Sequence, residues 1–175
     1  QPGQPVRAVP GAGLRVPIWI LGSSLFGAQV AAGLGLPFSF ASHFAPAMLH
    51  EAIRLYRDRF TPSEFLDKPY VMLGVNIVAA ESDQEARFLA SSGRQSFASL
   101  RAGRPIPLPP PSREWERDAD DRSDPANPTR VSFVGAASTI APQIEAFVRQ
   151  TSADELIVVS HIYDHAARLR SYEIA

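Results

Sequence analysis

Short hydrophobic runs alternate with stretches of helical periodicity along the chain. Four runs have the length of a strand and are apolar on both faces, namely residues 16–21, 38–41, 70–78 and 156–159. Between them, apolar residues recur at helical spacing, as in 49–60 and 140–148. Strands buried on both faces and separated by helices indicate a parallel sheet. The pattern therefore predicts an α/β chain in the order β-α-β-α-β-α-loop-α-β-α.

Small polar residues and glycines mark the ends of the predicted helices. Serine, threonine and aspartate side chains accept hydrogen bonds from the free amides of a first turn, and glycine tolerates the left-handed conformation that ends a helix. The predicted amino-terminal caps are Ser23 or Ser24, Ser82 with Glu85, Ser138 or Thr139, and Asp164. Gly35 is predicted to end the first helix, and the third and last are expected to end near Leu100 and Tyr172.

Residues 16–49 contain no Asp, Glu, Lys or Arg. A hydropathy window alone would predict a membrane span here. Glycines, prolines and serines recur inside the stretch, and they favour a buried strand, helix and strand instead. Net charge is −1 and the isoelectric point is about 6.5, so we expect neither nucleic acid nor an anionic membrane as a partner.

The chain has the size of half a barrel. A (β/α)8 barrel averages about 250 residues, or roughly 30 for each strand–helix unit. Four units, together with the ends and residues 101–130, account for 175 residues. Residues 101–130 are rich in Pro, Arg and Asp, which predicts an extended or partly mobile insertion loop within a single domain, with a solvated charged stretch at 113–124. The predicted fold is a partial (β/α)8 TIM barrel with parallel strands.

Several kinds of site are excluded or unsupported. Cysteine is absent, which excludes disulfides, thiolate metal sites and a cysteine nucleophile and fits a reducing, cytoplasmic location. No zinc-protease, P-loop or triad motif is found, and no metal is expected. The first ten residues lack the features of a signal peptide. A start at Gln1 leaves an internal fragment, a processed form and a truncated frame open.

The turn after the first strand is the first candidate site. At Leu21-Gly22-Ser23-Ser24 a strand ends and a helix begins. The free N–H groups of a helix start bind phosphate, and hydroxyls add donors. The same serines are also common helix caps. The residues by themselves leave both interpretations open.

Polar residues after the other strands form a second group of candidates. Ala41, Ser42 and His43 follow the second strand and His161 follows the fourth, where barrel chemistry is found. His43 suits either a ligand contact or a backbone-bonded core position. Asn76, inside the third strand, suits either packing or a ligand contact. Asp164 and His165 are adjacent, so on a helix their side chains point in different directions. Asp164 is expected to cap the last helix.

Three segments together resemble the bacterial luciferase-like monooxygenases. They are residues 17–46 (PIWILGSSLFGAQVAAGLGLPFSFASHFAP), 67–87 (DKPYVMLGVNIVAAESDQEAR) and 154–173 (DELIVVSHIYDHAARLRSYE). With the connecting helices they cover nearly the whole chain except 101–130. The family is a flavin-dependent barrel about twice this length. The resemblance implies that residues 1–175 form a single C-terminal half-barrel domain carrying strands five to eight.

The resemblance also implies a cofactor and its contacts. In the family, the turn at Gly22, Ser23 and Ser24 holds the phosphate of FMN, and Ala41, Ser42 and His43 lie beside the flavin ring. A family threonine corresponds to Gly27, which has no hydroxyl to make that contact. No catalytic residue is identified, because those of the early strands are absent.

The implied activity is a monooxygenase that uses reduced FMN, supplied by a flavin reductase, and molecular oxygen on a small organic substrate. A deazaflavin is an alternative cofactor. The half-barrel alone is expected to be inactive and to associate with a missing N-terminal half or as a homo-oligomer, because its sheet edges are open. The alternative function is a non-catalytic module that binds flavin or dimerises.

Overall fold

The computed structural model describes residues 3, 5–7, 9–116 and 128–175. Within these residues the strands are β1 (Ile20–Gly22), β2 (Phe38–Phe40), β3 (Val71–Ala79), β4 (Ser132–Gly135) and β5 (Glu155–Val159). The α-helices are α1 (Leu25–Leu34), α2 (Leu49–Asp58), α3 (Asp83–Arg101), α4 (Ala137–Thr151) and α5 (His165–Ile174). Short 3-10 helices lie at Pro46–Met48, Glu114–Glu116 and Pro128–Val131.

All paired strands run parallel, which confirms the predicted sheet. β2 and β5 both pair with Met72 and Leu73, so they lie on opposite edges of β3. At Asn76, β4 pairs opposite β5 and therefore continues the edge that β2 occupies. The four strands of the predicted units thus adjoin in chain order, β1-β2-β3-β5, which is the single winding of a barrel. The fold is a partial (β/α)8 barrel.

The two faces of β3 have different surroundings. Its odd-numbered residues, Val71 to Ala79, pack with α1, α2 and α4 in the main core. Its even-numbered residues point to the opposite face, where α3 packs across the carboxyl end of the strand against Val78 and Ile162. Part of that inner face is open, because Leu21 and Ile157 keep 69% and 49% of their surface exposed.

Several predicted element boundaries are confirmed. Residues 16–49 form a strand, a helix and a strand, followed by the short 3-10 turn at Pro46. Gly35 ends α1 in the left-handed conformation, at φ +62°. The Ser82 side chain accepts a hydrogen bond from the amide of Glu85 at the start of α3, and Asp164 accepts one from Ala167 at the start of α5. In the described part of the chain, no helix has both the length and the hydrophobicity that a membrane span requires.

Other predicted boundaries are wrong. The first strand begins at Ile20 and not at Val16, because β1 is an edge strand that pairs with β2 over only three residues. The strand β4 was not predicted; it is four residues long and pairs only with the end of β3. Neither Ser138 nor Thr139 is the cap residue of α4, which begins two or three residues earlier than predicted, after Ala136.

The cap of α4 comes from another element. The carboxylate of Asp83, at the start of α3, accepts hydrogen bonds from the amide of Ala136 at 2.7 Å and the hydroxyl of Thr139 at 3.1 Å. At the other end of α4, the guanidinium of Arg57 donates to the carbonyls of Thr151 and Ser152 at 2.8 and 2.5 Å. The negative charge of Asp83 thus lies at the amino end of α4 and the positive charge of Arg57 at its carboxyl end, as the helix dipole favours.

Residues 102–116 fold back along α3. The side chain of Gln95 donates to the carbonyl of Pro110 at 3.1 Å, and the hydroxyl of Ser91 accepts from the amide of Ser112 at 2.8 Å. Residues 117–127 of the expected insertion loop lie outside the described residues. The boundaries of that loop, and the single domain over 1–175, therefore stay predictions.

Candidate functional site

The turn between β1 and α1 presents an open helix start. Ser24 is the N-cap residue of α1, in extended conformation at φ −143°, but its side chain makes no cap hydrogen bond. Ser23 and Ser24 are both exposed, and the first turn of α1 contains no acidic residue. A helix start with free amides, nearby hydroxyls and no carboxylate is suited to an anion.

Gly22 and Gly27 allow α1 to approach β1 closely. A Cβ atom on Gly22 would lie 3.3 Å from the Cα of Gly27, and one on Gly27 would lie 3.2 Å from the Cα of Gly22. Either side chain would push the helix start away from the strand end. The sequence predicted for Gly27 only that it lacks the hydroxyl of the family threonine. In the structure, Gly27 has a packing role that holds the turn in place.

The segment after β2 joins the turn to β3. The amide of Ala41 donates to the carbonyl of Gly22 at 2.9 Å. The hydroxyl of Ser42, which is fully buried, donates to the carbonyl of Gly74 at 2.6 Å. These two bonds bring the predicted residues of both groups, Gly22 and Ala41–His43, to one rim of the sheet. The hydroxyl of Ser42 is engaged within the protein.

His43 lies against the inner face of β3. A Cβ atom on Gly74 would lie only 2.1 Å from Nδ1 of His43, so the ring occupies the space that Gly74 leaves empty. Nδ1 is buried and has no hydrogen-bond partner in the described part of the chain. Burial, and secondly the charge of a nearby His161, lower the pKa of His43. His43 is therefore neutral at physiological pH.

His161 reaches the same region from the end of β5. Its Nδ1 lies 3.4 Å from Oδ1 of Asn76, and Nδ2 of Asn76 donates to the hydroxyl of Ser132 at 3.3 Å. Although His161 is exposed along part of its surface, the protein atoms around its ring lower its pKa. Asn76 thus connects β4 to His161 on the inner face, where sequence alone had left its role open.

A cavity of about 420 Å³ lies between this inner face and α3. His43, Asn76 and His161 line one side of it. The α3 side contributes residues that the sequence did not identify as candidates, including Arg87, Arg94, Gly93 and Phe97. Among the described residues that line the cavity, none is Asp or Glu.

The remaining polar candidates do not join this site. Asp164 caps α5 as predicted, and Nδ1 of His165 lies 2.8 Å from Nη2 of Arg168 on the same helix. Neither Asp164 nor His165 lines the cavity. Across residues 9–116 and 128–175, no group of three side chains has the composition and proximity of a metal site.

Comparison with known proteins identifies the family. The family profile described as luciferase-like monooxygenase matches residues 1–155. The chain belongs to this family. A luciferase-like monooxygenase of Escherichia coli K12 is 46% identical over 176 residues, which cover 99% of this chain and 52% of that protein. The chain therefore spans about half the length of the curated relatives it matches.

Solved structures of luciferase-like monooxygenases and their relatives share the fold. Apo-MsnO8 aligns with a TM-score of 0.83 and 31% identity, over 98% of this chain and 53% of that one. An FMN complex of the oxygenating constituent of 3,6-diketocamphane monooxygenase, from a plasmid of Pseudomonas putida, aligns with a TM-score of 0.58. Its identity is 20%, over 91% of this chain and 48% of that one, and it is described as a type II Baeyer–Villiger monooxygenase.

Proposed function

We propose that this chain is the flavin-binding C-terminal half of a flavin-dependent monooxygenase. The whole enzyme would use reduced FMN, supplied by a reductase, and molecular oxygen to oxidise a small organic substrate. The observation that carries the proposal is the open amino end of α1, where Ser24 caps the helix without engaging its hydroxyl. That helix start lies on the rim that also holds Ala41 and His43.

The spacing of the rim suits a mononucleotide flavin. The phosphate turn follows β1 and the ring of His43 lies on β3, two strands away. Two strand spacings are about 10 Å. FMN joins its phosphate to its ring through an extended ribityl chain that can span this gap. The FMN complex of the diketocamphane enzyme supports the same cofactor class on a shared fold. A deazaflavin, with a similar ring and phosphate, is the alternative.

The protein residues would hold the cofactor and shape its surroundings. Gly22 lets the backbone approach the phosphate, and the first-turn amides of α1 with Ser23 and Ser24 would donate to it. Ala41 and His43 would lie beside the ring, and the apolar residues Val78 and Phe97 would exclude water from the cavity. The bound flavin supplies the activation of oxygen. Ser42 would position the rim through Gly74, since its hydroxyl is already engaged.

A titration that compares FMN with riboflavin tests the phosphate site. Riboflavin carries the same ring without the phosphate. We expect micromolar binding of FMN, and Ser23→Ala/Ser24→Ala should weaken it by about tenfold or more while leaving riboflavin unchanged. Ser138→Ala, another exposed serine in the first turn of a helix, is the matched control. Equal effects on FMN and riboflavin, or an absence of FMN binding, would refute the proposed phosphate site.

A second function is favoured by the open inner face. Leu21 and Ile157 are exposed there, and such a surface in a half-barrel promotes association. The chain would then be a non-catalytic module that binds flavin or dimerises. Flavin binding and dimer formation with no oxidation of any substrate, even when the other barrel half is supplied, would favour this function over the enzyme.

A further inference from the structure

Two histidines flank β3 on its inner face, and each is seated against a glycine. His43 follows β2 and His161 follows β5, on opposite edges of β3. The ring of His43 fills the space above Gly74. A Cβ atom on Gly93 of α3 would lie 3.1 Å from the Cβ of His161, so the helix approaches His161 at its glycine. Both histidines line the cavity.

The surroundings of His43 determine which ring nitrogen carries its proton. Nδ1 is buried against Gly74, with no hydrogen-bond partner among residues 9–116 and 128–175. A proton on Nδ1 would be an unsatisfied donor that points at the backbone of Gly74, where even a Cβ atom would lie only 2.1 Å from Nδ1. His43 therefore carries its proton on Nε2. Nε2 is neither buried nor bonded to any other described residue. The Nδ1 edge of the ring lies against Gly74 and His43 lines the cavity, so we infer that Nε2 is the donor available to the cavity.

The surroundings of His161 give the opposite tautomer. Asn76 donates through Nδ2 to Ser132, which directs its carbonyl oxygen Oδ1 at His161. Only a protonated Nδ1 of His161 can complete this contact, since Oδ1 is an acceptor. A neutral His161 then has an unprotonated Nε2, which is an acceptor. One imidazole thus offers a donor to the cavity and the other offers an acceptor.

We propose that His43 and His161 bind one neutral ligand group that accepts a hydrogen bond from Nε2 of His43 and donates one to Nε2 of His161. A hydroxyl group of a substrate has this chemistry, and so does the N–H beside a carbonyl on the edge of a flavin ring. The flavin edge as the ligand rests on the proposed function, whereas the substrate hydroxyl does not. The apolar walls at Val78, Phe97 and Val159 suit the remainder of either ligand.

The positive charges in the cavity lining make an anion the competing ligand. Arg87 and Arg94 of α3 line the cavity with the two histidines, and no Asp or Glu does so among the described residues. Nη1 of Arg94 donates to the carbonyls of Trp115 and Glu116, at 3.2 and 3.1 Å. A carboxylate could accept from His43, but it has no proton to donate to His161 and would place a lone pair against Nε2. The donor and acceptor pair of the two histidines thus favours a neutral group, whereas Arg87 and Arg94 would favour an anion, so benzoate is included in the test below.

Long-range ¹H–¹⁵N spectra of the labelled chain measure both tautomers directly. The chain has four histidines, and His43→Gln and His161→Gln assign the two resonances while His50 and His165 serve as internal references. At neutral pH we expect the proton of His43 on Nε2 and that of His161 on Nδ1. The opposite tautomer at either residue overturns the proposal.

Matched ligands then test the binding group. Benzyl alcohol should shift both Nε2 resonances, whereas benzyl methyl ether, which cannot donate, should bind about fivefold more weakly and leave His161 unshifted. Lumiflavin and its N3-methyl derivative form the same comparison for the flavin edge. A shift of both histidines by either donor-bearing ligand, with the His161 shift lost in its methylated partner, supports the proposal and identifies the source.

Three results would overturn the binding proposal. They are an equal response to both members of each pair, no response to either donor-bearing ligand, and a stronger response to benzoate than to benzyl alcohol. None of them depends on the phosphate turn. A chain with the expected histidine shifts but equal affinity for FMN and riboflavin would contradict the proposed function and leave this inference standing.

Discussion

Gly74 lies inside the longest strand of the sheet, and its missing side chain makes room for a histidine ring. Any Cβ there would lie 2.1 Å from Nδ1 of His43. Glycine inside a strand weakens it and often indicates a close approach by another group. The residue type alone was therefore a usable signal for the site, although it cannot name the group that approaches.

Gly74→Ala should displace His43 and destabilise the fold. The added methyl group enters a filled space, at an expected cost of about 1–3 kcal/mol. Gly33→Ala is the control, because Gly33 is exposed in α1 with no atom within 4 Å of the added Cβ; it should stabilise by up to about 1 kcal/mol. Urea unfolding measures both. Equal stability of Gly74→Ala and the wild type would show that the ring moves away freely.

Ser42 is the candidate whose role changes most between sequence and structure. Its hydroxyl donates to Gly74 and not to the cavity, so Ser42→Ala should lower the free energy of unfolding by about 1–3 kcal/mol. Ser92→Ala is the control, since Ser92 is equally buried but its hydroxyl has no partner among the residues that the structure describes; this variant should be neutral or more stable. Chemical denaturation checks both. A loss of FMN affinity with unchanged stability would instead assign Ser42 to the cofactor.

At the scale of elements, α4 is held at both ends by residues distant in sequence. The hydrogen bonds from Ala136 and Thr139 lower the pKa of Asp83. A carboxyl group whose pKa is lowered by folding stabilises the protein above its unfolded pKa, here near 3.8. That stabilisation is lost as pH falls below this value towards the folded pKa.

Asp83→Asn should therefore remove an acid-dependent part of the stability. The difference in melting temperature between wild type and variant should be full at about pH 6 and shrink towards about pH 3. Glu85→Gln, in the same helical turn, is the control, because among the described residues its carboxylate accepts no hydrogen bond from α4. A difference that stays constant with pH would show that the Asp83 carboxylate does not hold α4.

The starts of α3, α4 and α5 show how far sequence can predict elements. Ser82 and Asp164 were predictable as caps because each bonds an amide three residues ahead. The cap of α4 was not, because Asp83 and Ala136 are 53 residues apart and meet only once β3 and β4 have paired. Likewise, periodicity placed α3 as a helix but could not show that it crosses the inner face and builds a cavity. Hydrogen bonds within one helical turn can be predicted from the sequence, whereas contacts between distant elements cannot.

At the scale of the whole molecule, the inner face of the sheet is a surface that exposes large apolar side chains. Leu21 and Ile157 project from it, and we expect the chain to self-associate there or to bind the other barrel half. Leu21→Glu should shift sedimentation towards the monomer by desolvation of the introduced charge. Phe26→Glu, at an exposed position of α1, is the control. A shift produced by Phe26→Glu alone would place association on the helix side.

The open face also determines what bound flavin can do in this chain. Oxygen chemistry on a reduced flavin needs an enclosure that keeps water out, and here α3 covers only the carboxyl end of one face. We therefore expect the chain to bind FMN. Reduced FMN bound to the chain should react with oxygen as fast as free reduced FMN does, and no substrate should be oxidised. Stopped-flow reoxidation, compared with the luciferase-like monooxygenase of E. coli, measures this. Reoxidation and product formation at the rate of that longer protein would mean that four strand–helix units suffice to enclose the flavin.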